Sequence, residues 1–153
     1  MDTATLFLLV VTALCCYCTG ASWMLQIVCY PTYALVGAAE FVPFHVSFGR
    51  RLIAAAVGPM VITCWMTFAL VFLRPAAAPL PAALLAAACG LVILVTTIVL
   101  EVPKHLALDR DGKSDALING LVRDNLPRMI AWTVASVALL YQVVVVFQAM
   151  PAA

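Results

Sequence analysis

Two histidines, a glutamate and an arginine stand at the edges of long apolar runs: His45, His105, Glu101 and Arg128. Gln26, Tyr30, Asn125 and Trp132 accompany them at the same edges. A carboxylate or an imidazole can take a proton from a bound molecule, and guanidinium or amide groups can stabilise the oxyanion left behind. Glu101, His105 and His45 are therefore the candidate catalytic groups. Gln26, Tyr30, Asn125, Arg128 and Trp132 are the candidate substrate contacts. Each also has a plainer role. Glu101 could pair with Arg128 or Lys104, the histidines could meet lipid phosphates, and Gln26 could bond one helix to another. The functional reading rests on their convergence at one end of the fold, because ionisable groups at membrane depth are costly to keep.

The elements that position them follow from hydropathy. The chain has 153 residues, 66% hydrophobic and 10% charged, with mean hydropathy +1.13. Soluble domains carry roughly 25% charged residues, so this composition suits a surface that faces lipid. A span needs about 20 apolar residues, and four runs qualify, at 4–28, 52–73, 83–101 and 129–149. The expected fold is an all-α integral membrane protein, a single four-helix bundle over residues 1–153 with short interfacial segments on one face. The first run lacks a basic leader and is longer than a signal-peptide core, so it is read as a retained span. The stretch RPAAAPLPA forces the second and third helices to be antiparallel neighbours.

Four spans place both termini and Arg74 on one side. Arg50, Arg51, Lys104, Arg110, Lys113, Arg123 and Arg128 fall on the other. Basic residues stay cytoplasmic during insertion, so the expectation is a multi-pass protein of a bacterial cytoplasmic membrane with both termini outside. Two long cytoplasmic connections are expected, at 29–51 and 103–127. The first holds Phe41, Phe44 and Phe48, as an interfacial segment or an early start of the second helix. The second holds the DRDG stretch as a turn, then a short surface helix with Leu117, Leu121 and Val122 on one face.

Helical spacing gathers polar groups into stripes. Thr12, Cys15, Thr19, Ser22, Gln26 and Tyr30 share a face of the first helix. Gly90, Thr97 and Glu101 share one on the third, with His105 a turn further if the helix survives Pro103. Asn125, Arg128, Trp132 and Ser136 share one on the fourth. Gly58-Pro59 marks a kink in the second.

The cofactor is open from these residues. His45, His105, Glu40 and Glu101 are types that bind iron, manganese or zinc, and the two histidines could be haem ligands. The spacing lacks the Glu-x-x-His pairs of di-iron bundles, and a metal-free site is the preferred reading. The cysteines read as small hydrophobes. No basic stripe suggests nucleic acid. The expected partners are the lipid bilayer, a hydrophobic small molecule, and further copies or a larger membrane complex.

Four motifs combine most of these residues: W-x-x-Q-x-x-x-YP (Trp23, Gln26, Tyr30, Pro31), F-x-x-x-H (Phe41, His45), T-x-x-x-E-VP-K-H-x-x-L (Thr97 to Leu108) and L-x-x-x-N-x-x-R-x-x-x-W (Leu121, Asn125, Arg128, Trp132). Together they resemble small bacterial four-helix membrane proteins, which in turn resemble the anthrone-oxygenase-like membrane family. That resemblance implies a four-span bundle and, for some members, oxidation of anthrone-type polyketides to quinones without a recognised cofactor. Three functional readings follow: a membrane oxidoreductase or oxygenase acting on a lipophilic phenol or quinol, a non-catalytic subunit or assembly factor, and a metal- or haem-binding protein.

Overall fold

A chain this apolar satisfies its backbone internally, and it does so here with helices alone. The computed structural model describes residues 1–150, and no strand occurs among them. Four helices are long and apolar enough to cross a membrane: α1 (Thr3–Tyr33), α2 (Ala38–Leu73), α3 (Leu80–Asp111) and α4 (Asp115–Gln148). Each packs on the next, and α4 closes the ring against α1. Asp2 caps α1 by accepting from the Thr5 amide at 2.7 Å, a bond that holds its carboxyl below the usual carboxylate range. Ser114 caps α4 by accepting from the Leu117 amide. Arg74 ends α2, donating to the Val71 and Ala78 carbonyls.

The helices run 31 to 36 residues, or about 46–54 Å at 1.5 Å per residue. A hydrocarbon slab is only about 30 Å thick. The excess lies at one end, in 29–33, 38–51, 102–111 and 115–128, where nearly all the charge is. This corrects the expected connections. The non-helical connections are short, confined to 34–37 and 112–114; the rest of 29–51 and 103–127 is helix, and of the two readings of the first connection the early start of the second helix is the one found. His45 lies inside α2, not ahead of it. The DRD of DRDG ends α3, and the turn is Gly112–Ser114, with Gly112 at φ 87°. The expected separate surface helix is the first turns of α4. Leu121 is buried there and Leu117 is half-buried, packed against the core.

The prolines explain how the helices continue. Tyr30, Gly58 and Val102 each precede a proline, and each donates its amide five residues back, to Leu25, Ile53 and Thr97. A proline clashes with the carbonyl four residues earlier. One widened π-turn moves that carbonyl aside and lets the helix run on. The turns at Leu25–Cys29, Ile53–Val57 and Thr97–Glu101 thus sit just before Pro31, Pro59 and Pro103. At Ala55, inside the second of these turns, the carbonyl accepts from the Tyr17 hydroxyl at 2.5 Å.

Polar stripes stitch α1 to α4. The Thr19 hydroxyl lies 2.8 Å from Ser136 Oγ and 3.0 Å from the Trp132 carbonyl. Trp23 Nε1 donates to Thr133 Oγ1 at 3.1 Å. Small residues bring α2 against α3. A Cβ on Gly90 would stand 2.7 Å from Thr67 Oγ1, so glycine is required for that approach. The outward faces carry Ile62, Trp65, Phe72, Leu91, Ile98 and Val137, all exposed.

Candidate functional site

α2 and α3 meet at Thr67 and Gly90 toward one end and at His45, His105 and Asp109 toward the other. Between those contacts, at the level of the π-turns, they part around a cavity of about 460 Å³. That falls within the range of small-molecule sites, about 300–1,000 Å³. Its walls are apolar, from Leu25, Ile53, Val57, Met60, Ile93 and Val102 among others. Exposed Ile53, Val102 and Leu106 are part of this wall and reach the outer surface, so the opening is lateral and apolar, with Arg50 beside it.

The polar groups gather at the charged end of this cavity: Tyr30, His45, Glu101, His105, Asp109 and Arg128. Five of them are residues that the sequence singled out. Glu101 is only 1% exposed and Arg128 4%, and Arg128 Nη1 lies 3.7 Å from Glu101 Oε2. That is an ion pair without a hydrogen bond. Both Glu101 oxygens and Arg128 Nε lack a hydrogen-bond partner among the described residues. Unmatched buried polar atoms cost on the order of 1–3 kcal/mol each, so these are the atoms for a polar ligand group to meet. Tyr30 adjoins both side chains. The other local partner considered for Glu101, Lys104, is taken by Asp124 at 2.7 Å.

The histidines pair directly. His45 Nε2 lies 3.0 Å from His105 Nδ1, and the rings stack at 5.1 Å. On its other side, His45 Nδ1 lies 2.6 Å from Asp109 Oδ1. Phe41 stacks on His45, and the Tyr33 edge meets it at 5.2 Å. Asp109 was missed from sequence because DRDG read as a turn. The available signal was its spacing from His105, four residues on, which shares a face once α3 runs past Pro103.

Gln26, Asn125 and Trp132 are placed elsewhere. They converge as the stripes suggested, but behind the cavity, at the α1–α4 contact. Asn125 Nδ2 donates to Gln26 Oε1 at 2.9 Å, and Gln26 Nε2 donates to the Val122 carbonyl at 3.0 Å. Trp132 is buried, its carbonyl accepts from Thr19 of α1, its Nε1 has no partner among the described residues, and it is not among the cavity-lining residues. Sequence stripes report a face without reporting which neighbour that face meets.

Among the described residues, no group of three or more His, Cys, Asp and Glu side chains is arranged to hold a metal ion. Glu40 is exposed in the first turn of α2, and all six cysteines are free thiols. The buried pair Cys15 and Cys18 lies against the Ser136 and Thr63 hydroxyls. Compared with known protein families, curated proteins and solved structures, the chain matches none.

Proposed function

We propose that the protein lies in a membrane and takes a lipophilic phenol or quinol from the bilayer into the cavity between α2 and α3, where it promotes that molecule's oxidation. The observation that carries this reading is the combination of an apolar lateral opening with a buried ion pair, Glu101 and Arg128, whose carboxylate oxygens and Nε have no hydrogen-bond partner among the described residues beyond the adjoining Tyr30. A flat hydrophobic ring system fits the apolar walls, and its hydroxyl reaches the charged end. Glu101 accepts the hydroxyl proton, and Arg128 holds the phenolate oxygen that results. Low dielectric at the site strengthens that attraction relative to water. A quinol that has lost both protons can give two electrons to dioxygen dissolved in the bilayer. The products are quinone and hydrogen peroxide, with the two protons balancing the peroxide; a phenolate with one oxygen instead adds dioxygen at the ring carbon opposite that oxygen, and loss of water from the hydroperoxide gives the quinone. The chain's own contribution is binding, deprotonation and charge stabilisation.

The seven basic residues at the site end favour a cytoplasmic position for it. The test is quinone formation and oxygen uptake by purified protein in lipid nanodiscs, supplied with anthrone-type phenols and quinols. Wild type is expected to turn over at least one of them. Glu101→Gln is expected to lower kcat on the order of 10²-fold, the usual scale of general-base loss. Equal rates in Glu101→Gln and wild type would reject the assignment of Glu101.

A further inference from the structure

The histidine pair has a direction built into it. Asp109 is acceptor-only when ionised, and its side chain is 40% exposed, beside the buried His45 at 2%. At 2.6 Å, Asp109 Oδ1 therefore accepts from His45 Nδ1–H. With His45 taken as neutral, its ring carries one N–H, and Asp109 uses it, so His45 Nε2 is left as an acceptor. His105 Nδ1, 3.0 Å away, must then be the donor. His105 in turn is left with Nε2 bare, and that nitrogen has no hydrogen-bond partner among the described residues while the ring lines the cavity. Which nitrogen of a histidine holds the proton is set by the bond the other one makes. Here that rule acts twice in series.

We propose that Asp109 is a positioning residue acting through His45: it fixes His105 in the Nδ1–H form and so presents His105 Nε2 to the cavity as a proton acceptor. The site is a second acceptor besides Glu101, suited to a ligand bearing an O–H or N–H group. Its role in oxidation rests on the reading of the cavity given above; the fixed tautomer does not. The proton count closes. A proton arriving at His105 Nε2 releases the Nδ1 proton to His45 Nε2, and the His45 Nδ1 proton passes to the Asp109 carboxylate. One proton has then moved from the buried cavity to a half-exposed group, and both rings end neutral. Phe41 and Tyr33 hold the His45 ring in the plane this requires.

The test needs no substrate. The chain has two histidines, so ¹⁵N-histidine labelling gives two rings, and protonated and bare ring nitrogens resonate far apart. In wild-type protein in nanodiscs near neutral pH, both rings are expected in the Nδ1–H form, the less common one for a histidine side chain in water. Asp109→Ala and, separately, His45→Phe are each expected to move His105 to the Nε2–H form, although residue 109 does not bond to His105. His45→Phe keeps an aromatic ring in the stack, so the chain of effects stays testable if Asp109→Ala fails to fold. A wild-type His105 already in the Nε2–H form would overturn the proposal. So would a His105 that stays Nδ1–H in either folded variant. Loss of turnover without any such tautomer change would speak to the oxidation reading alone and would leave Asp109 with no positioning role.

Discussion

At the scale of single residues, the cavity is defined by a contrast between spent and unspent hydrogen bonds. Gln26 and the Asn125 amide N–H groups use theirs on each other and on the Val122 and Ser22 carbonyls, with Asn125 Oδ1 left over, whereas Glu101 and Arg128 face each other across the cavity wall at 3.7 Å with both carboxylate oxygens and Nε unmatched among the described residues. Removing one partner of a buried pair strands the other. Arg128→Leu is expected to cost about 3 kcal/mol, read as a lowered midpoint of thermal unfolding in detergent. The double variant Glu101→Leu/Arg128→Leu is expected to recover most of that loss, because no unpaired charge remains. A double variant as unstable as the sum of both singles would show that the two do not act as a pair. Glu101, His105 and Arg128 were legible in the sequence because charge at the border of an apolar run is conspicuous. Asp109 was not, because its meaning depends on α3 continuing through Pro103, and a proline is the usual signal of a stop. Trp132 was legible as sharing a face with Arg128 but not as falling outside the cavity lining, since periodicity gives a face and not its neighbour.

At the scale of elements, three prolines and three π-turns make the gap that the cavity fills. The spans were visible from hydropathy, but the helices proved longer than the spans. Each ran on through residues whose polarity suggested a loop, and the π-turns are the device that permits it in α1, α2 and α3. A π-turn adds a residue to one turn and so re-aims every side chain beyond it. Pro103→Ala restores an amide that can donate four residues back and removes the clash that widened the turn. That variant is expected to keep its helix content by circular dichroism yet bind a cavity ligand about tenfold more weakly, ~1.4 kcal/mol, because Glu101 and His105 no longer point together. Unchanged affinity would mean that the π-turn of α3 is not what aims them.

At the scale of the whole molecule, charge is segregated: the end that holds the cavity carries seven of the eight Lys and Arg residues. The proposed orientation, with this end cytoplasmic and both termini outside, rests on the positive-inside rule. A reporter that is fluorescent only in the cytoplasm, fused after Ala153, is expected to stay dark, and one that is active only outside is expected to work. The reverse pattern would invert the proposed orientation. The longer charged ends also hold together as a cap. Lys113 of the α3–α4 turn donates to the Ala34 and Val36 carbonyls of the α1–α2 turn, and Lys104 of α3 pairs with Asp124 of α4. The site thus sits below a fastened polar cap and beside an apolar side opening, an arrangement suited to a guest that arrives from the bilayer with its polar group leading.

The central claim is that a lipophilic phenol enters this cavity and gives its proton to Glu101 against Arg128. The most direct measurement is the absorption spectrum of a polycyclic phenol titrated with protein in nanodiscs at a pH well below the phenol's own ionisation. Wild type is expected to bind it saturably and to produce the phenolate band. Glu101→Gln is expected to bind it without that band, and Arg128→Leu to lose the band as well. No saturable binding by wild type, or a phenolate band of equal strength in Glu101→Gln, would contradict the account.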